Sequence, residues 1–157
     1  MDELKIPAAF ERVWERVTAI DDCDKIPETL QQELERFIEG EQCAINLYGV
    51  VAGNCGVKER QVIFQIIADE HRHLKNLQIE YFMLTGDMNT IKPSCVREHM
   101  GVLSLLRGAY LDEVSAAEKY RRAMESRGGD LGKLYADFAE DERRHARLLK
   151  EIICRAL

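Results

Sequence analysis

Apolar residues recur three and four positions apart along most of this chain, the period of a helix with one buried face. In the first such stretch, Leu30, Leu34, Phe37, Ala44, Ile45 and Tyr48 share a face. It predicts a helix from about Pro27-Glu28, where a proline suits the first turn, to the stop at Gly53-Asn54-Cys55-Gly56. A second helix is predicted from about Val57 to Met83, turning Ile63, Ile66, Ile67, Leu74 and Leu77 inward, with Thr85-Gly86-Asp87 ending it. A third covers roughly 97–126 and closes at Ser126-Arg127-Gly128-Gly129-Asp130, and a fourth runs from about Leu131 to Ile153. Prolines stand only at positions 7, 27 and 93, so little of the chain is left for strands.

Two short loops make two helical hairpins, and the hairpins assemble into an all-α four-helix bundle. The connection between them is the demanding part. If the second and third helices run parallel, the chain must return along the bundle. It covers about 20 Å of helix beyond Glu70 and about 22 Å before Glu113, at about 1.5 Å per residue. The roughly 14 residues of 84–97 reach about 45–50 Å when extended. A long crossover is therefore just feasible, and an exchange of hairpins between two subunits is its alternative. Residues 1–27 read as a separate appendage, with Phe10, Val13, Trp14 and Val17 at helical spacing ahead of Asp21-Asp22-Cys23-Asp24. The bundle domain is then 28–157. The apolar appendage, with the taut crossover, predicts a homodimer.

Composition excludes more than it assigns. A chain of 157 residues forms one domain with its own core. A net charge of -6 without a Lys/Arg-rich run argues against nucleic acid as a partner. No stretch is apolar enough to span a membrane, and Met1-Asp2-Glu3-Leu4-Lys5 does not open a signal peptide. The 5 cysteines, at 23, 43, 55, 95 and 154, hold no CxxC and fit inert thiols in a reducing cytoplasm.

Chemistry enters where acidic residues interrupt the apolar faces. Glu41 sits in the first face, followed in the second helix by Asp69-Glu70-His71-Arg72-His73. The pattern returns 72 residues on, with Glu113 and then Asp141-Glu142-Arg143-Arg144-His145. Each copy reads E-x-x-A-x-x-x-Y, then E-x-x-H. Residues three apart leave the same side of a helix, so Glu70 with His73, and Glu142 with His145, can reach one point. One such pair arises readily by chance on a solvated face. A second in register, each with its own lone glutamate, does not. Burying Glu41, Glu70, Glu113 and Glu142 together is costly without counter-cations, and repulsion would raise their pKa values. Two divalent metals remove that objection. The six residues are the ligand set of a dinuclear carboxylate-bridged centre, and mixed oxygen and nitrogen donors favour iron or manganese over zinc-thiolate chemistry.

Neighbouring residues are less determined. Tyr48 and Tyr120 either donate to ligating carboxylates of the opposite hairpin or pack in the core with satisfied hydroxyls. Asp69 and Asp141 either orient an imidazole from a neighbouring helix or lie on a solvated face. His71 points off the site, His99 reads as an ordinary packed histidine, and Cys43 is no ligand.

With these paired motifs, residues 28–153 resemble the rubrerythrin family of the ferritin-like superfamily. The resemblance implies Glu41 and His73 on one metal, Glu113 and His145 on the other, and Glu70 and Glu142 as bridges. It implies a ferritin-like bundle, two iron ions, frequent dimers, and reduction of hydrogen peroxide or reaction with dioxygen. Manganese, a mixed pair, or zinc in isolated protein suit the same donors. Two departures stand out. Typical members carry a small iron domain with two CxxC knuckles, absent here, so a separate electron donor is implied. They also commonly carry another glutamate three residues after the helix-three ligand, where this chain has Ala116. That leaves three functional readings: a di-iron oxidoreductase of peroxidase or ferroxidase type, an iron-storage protein, or a helical interaction protein with structural metals.

Overall fold

The structure, a computed structural model, describes residues 28–88 and 100–156. They form four long helices: α1 (Leu30–Asn54), α2 (Val57–Thr85), α3 (Val102–Arg127) and α4 (Gly129–Arg155). The expected appendage at 1–27, and with it Pro27, lies outside the described residues. So do His99 and most of the expected crossover.

Local chemistry sets each boundary. Thr29 caps α1, its hydroxyl accepting from the Gln32 amide while the Gln32 side chain accepts from the Thr29 amide. This reciprocal box satisfies two donors that the first turn would leave open. α2 runs two residues past the expected Met83, to Thr85, and the following Gly86, with φ of 77°, supplies the left-handed turn that ends the helix. The expected start of helix three near residue 97 is corrected. Met100 and Gly101 are not helical and the helix begins at Val102, because Gly101 takes the extended N-cap conformation. α4 starts earlier than expected, at Gly129, so the turn after α3 shrinks to Gly128 with φ 63°.

α1 packs on α2 and α3 on α4, with lighter contacts from α1 to α3 and from α2 to α4. Two apolar plugs fill the ends of the bundle. One holds Tyr48, Val51, Ile63, Ile66, Leu106 and Leu149. The other holds Leu34, Ile38, Leu77, Tyr120, Tyr135 and Phe138. The second plug joins the start of α1 to the far ends of α2 and α3 and to the start of α4. Thus α2 and α3 run parallel, and the end of α2 and the start of α3 lie at opposite ends of the bundle. Each fully buried leucine or isoleucine contributes about 1.5–3 kcal/mol. The plugs clamp a middle layer that is not apolar at all.

Candidate metal centre

Six ionisable side chains fill that middle layer. Glu70, His73 and His145 are fully buried, and Glu41, Glu113 and Glu142 expose 4%, 4% and 2% of their surface. Helical spacing explains the inward aim: Ile63, Ile66, Glu70, His73 and Leu77 form one stripe of α2, and Tyr135, Phe138, Glu142, His145 and Leu149 the matching stripe of α4.

The six fall into two overlapping groups of four, Glu41, Glu70, His73, Glu142 and Glu70, Glu113, Glu142, His145. Within each group one ligand atom per residue lies within 4.8 Å of the others. Glu70 and Glu142 belong to both. His73 Nδ1 stands 3.4 Å from Glu70 Oε2 and 3.2 Å from Glu142 Oε1. His145 Nδ1 stands 3.0 Å from Glu70 Oε1 and 3.5 Å from Glu142 Oε2. Each shared carboxylate therefore turns one oxygen to each imidazole. Glu41 and Glu113 serve one group each, 3.8 Å from His73 and 3.7 Å from His145.

The surrounding contacts cross between hairpins in pairs. Tyr48 donates its hydroxyl to Glu113, and Tyr120 donates to Glu41. His73 Nε2 lies 3.2 Å from Asp141 Oδ2, and His145 Nε2 lies 3.3 Å from Asp69 Oδ2. A charged aspartate only accepts. Each Nε2 therefore carries a proton, and Nδ1 faces the carboxylates, where a metal that displaced its proton would find the lone pair. Arg72 and Arg144 close a ring on the outer side, since each guanidinium pairs with both Asp69 and Asp141. Of the two readings open for each residue, the tyrosines donate to the inward carboxylates and the aspartates hold the imidazoles. The tyrosines also pack: Tyr120 stacks on Phe37, with ring centroids 4.2 Å apart.

The electrostatics are those of anions crowded away from water. Burial, then the charge of Glu70, pushes Glu41 up to about 8. The same two causes push Glu142 well above the carboxylate range. Burial would also raise Glu70, but His145 and His73 outweigh it and lower it. Glu70 and Glu142 occupy matched positions yet move oppositely, because when one of two touching carboxylates keeps its charge the other takes a proton. Repulsion alone does not set all four. Burial opposes the charged form of His73, but Glu142, Glu41 and Glu70 outweigh it and push the imidazole up to about 12. His145 is raised likewise, by Glu113, Glu142 and Glu70 against burial. Burial, then Glu113 for Tyr48 and Glu41 for Tyr120, raises both hydroxyls far above their usual range and keeps them donors.

The donor set fits a pair of cations. Both oxygens of Glu70, Glu142 Oε1 and the two Nδ1 atoms are buried without a hydrogen-bond partner. These are the atoms that converge, and orphaned buried acceptors of this kind are otherwise rare. The chain matches the family model of rubrerythrin over residues 32–153. The chain belongs to the rubrerythrin family. No curated protein matches it. Among solved structures it is similar to a hypothetical protein from Pyrococcus furiosus, with a TM-score of 0.71 and 21% identity, covering 83% of this chain and 91% of that one. At that identity the likeness speaks for the fold alone.

Within this rubrerythrin fold several residues escape sequence reasoning. Glu33 is buried at 6% exposure, holding Arg127 through two contacts of 3.1 and 3.2 Å and accepting from Tyr135 at 3.1 Å. Its position, four residues before Phe37 and eight before Glu41, is the available signal. Its partners, about a hundred positions away, give none. The Arg72–Arg144 ring was visible only as a repeated arginine. Cys43 is disulfide-bonded, where an inert thiol was expected, while Cys55 and Cys154 are free. His71 is exposed and off the site, as expected. Among the described residues no helix is long and apolar enough to cross a membrane.

Proposed function

We propose that this rubrerythrin-family chain is a di-iron oxidoreductase that reduces hydrogen peroxide. In this reading Glu41 and His73 would hold one iron and Glu113 and His145 the other, with Glu70 and Glu142, common to both groups, available to each. The observation that carries it is the pair of shared carboxylates, each turning one oxygen to each histidine. The bound pair would supply two electrons to break an O–O bond.

The chain's own residues supply the rest. Asp141 and Asp69 hold the imidazole tautomer that aims Nδ1 inward. Tyr48 and Tyr120 fix one oxygen each of Glu113 and Glu41, so the outer carboxylates keep their orientation. The apolar plugs exclude water above and below the layer, which strengthens every charge interaction within it. A cavity of about 790 Å³ between α1 and α3 reaches the four carboxylates and both tyrosines. This opening favours turnover over a sealed structural site.

Oxidation of Fe(II) with dioxygen or peroxide uses the same groups, and one experiment separates the two. The chain is loaded anaerobically with Fe(II), then mixed in parallel with hydrogen peroxide and with dioxygen while optical spectra are followed. Faster reaction with peroxide supports the peroxidase reading. Faster reaction with dioxygen favours a ferroxidase, and uptake far above two irons per chain favours storage. We assign repeated turnover to a separate electron donor. A homodimer completes the reading. Phe64, Ile79, Phe82 and Met83 remain exposed along α2 and offer a face for the second copy.

A further inference from the structure

The cavity between α1 and α3 is built for more than a molecule the size of hydrogen peroxide. Its floor is the carboxylate layer with the Tyr48 and Tyr120 hydroxyls. Its walls include Ala44, Leu47 and Val50 from α1, and Leu105, Ala109 and Ala116 from α3. Ala44 and Ala116 occupy matched positions of the two repeats, and Gly40 leaves open space where a side chain would stand. The opposite side of the layer is covered by the two imidazoles and the Asp69–Arg72–Asp141–Arg144 ring. Apolar plugs close the two ends. A volume of about 790 Å³ lies in the range of cavities that take organic ligands, which are typically apolar with a few convergent polar groups.

We propose that this cavity binds the organic part of an alkyl hydroperoxide and delivers its O–O group to the carboxylate floor. The proposal rests on the peroxidase reading above and names its substrate class. The reaction is ROOH plus two protons plus two electrons giving ROH and water. The O–O bond breaks and two O–H bonds form; a bound ferrous pair would supply the two electrons, and solvent the two protons. Hydrogen peroxide gains nothing from apolar walls. An alkyl chain gains with every methylene it buries, by about fourfold in kcat/KM.

The test uses the full-length, iron-loaded chain with hydrogen peroxide, tert-butyl hydroperoxide and cumene hydroperoxide. Binding of cumyl alcohol to the zinc-loaded chain is measured separately by calorimetry. Expected are a kcat/KM for cumene hydroperoxide at least tenfold above that for hydrogen peroxide, and saturable alcohol binding. Ala116→Phe and Ala44→Leu, each checked to retain two metals per chain, should lower that ratio at least fivefold and weaken the alcohol. A ratio near or below one, or no alcohol binding, overturns the proposal while leaving peroxide reduction standing. Alcohol binding that appears only after removal of residues 1–27 makes the chain's own N-terminus the occupant, and also overturns it. Alcohol binding without turnover of any peroxide defeats the peroxidase reading, and the hydroperoxide assignment falls with it.

Discussion

Asp141 accepts from a histidine across the bundle and at the same time pairs with two arginines. Asp141→Asn keeps an acceptor near His73 but removes the charge that fixes the tautomer. Metal affinity should fall about 10–100-fold, read by competition with a chelator, and Asp69→Asn should match it through His145. An unchanged affinity in both would remove the aspartates from the site. Glu33 makes the contrasting case. It lies under the same apolar face, but its partners are Arg127 and Tyr135. Glu33→Ala leaves the Arg127 charge half-buried and unpaired, and should cost about 3–5 kcal/mol of stability while metal stoichiometry stays at two. Loss of metal in a folded Glu33→Ala chain would contradict that division. At this scale the inward residues were legible because period and repetition fix them. Glu41 and Glu113 announce themselves by interrupting apolar stripes. Cross-hairpin partners such as Tyr48 with Glu113 are a matter of three-dimensional register, which one sequence leaves open.

Helix boundaries follow the chemistry of single residues, and there the sequence reading was weakest. Glycine near a helix end is ambiguous: Gly101 begins a helix, Gly86 ends one, and Gly128 does both in one residue. The start signal of α1 is the capping pair Thr29 and Gln32, two residues after Pro27. Thr29→Ala should cost about 1 kcal/mol in urea unfolding, since it frees the Gln32 amide at the start of α1. Gly86→Ala, with φ at 77°, should cost about 1–2 kcal/mol although open space surrounds the new methyl. Neither change touches the middle layer, so both should leave metal affinity unaltered. A stability loss in either accompanied by metal loss would mean that the ends of the bundle set the centre.

The whole molecule balances two apolar plugs against a layer of charge, and pH reads that balance. In the metal-free chain Glu41 is raised from 4.5 to about 8, so the fold holds a proton that the unfolded chain releases. Its contribution is complete below about pH 4.5 and is lost as pH rises through about 8. His73, raised from 6.5 to about 12, contributes fully below about pH 6.5 and loses that contribution as pH climbs toward 12. The melting temperature of verified metal-free protein should therefore fall between about pH 5 and 9. Metal competes with those protons, so stabilisation by metal should grow over the same window and protons should be released on loading. Equal melting curves with and without metal at pH 8 would reject this coupling. At this scale the bundle and its hairpins follow from helical periods and short loops, whereas the parallel α2–α3 relation enters the sequence only as a condition that the length of the crossover permits. The cavity was not, because an apolar wall facing a void has the same sequence signature as one facing a packed neighbour.

The central claim is that two copies of one motif build a single centre for two metals. Anomalous diffraction from crystals of the iron-loaded chain tests it most directly. The account predicts two peaks in the middle layer, one beside Glu41 and His73 and the other beside Glu113 and His145, with Glu70 and Glu142 touching both. A single peak, or peaks away from Glu70 and Glu142, would contradict it.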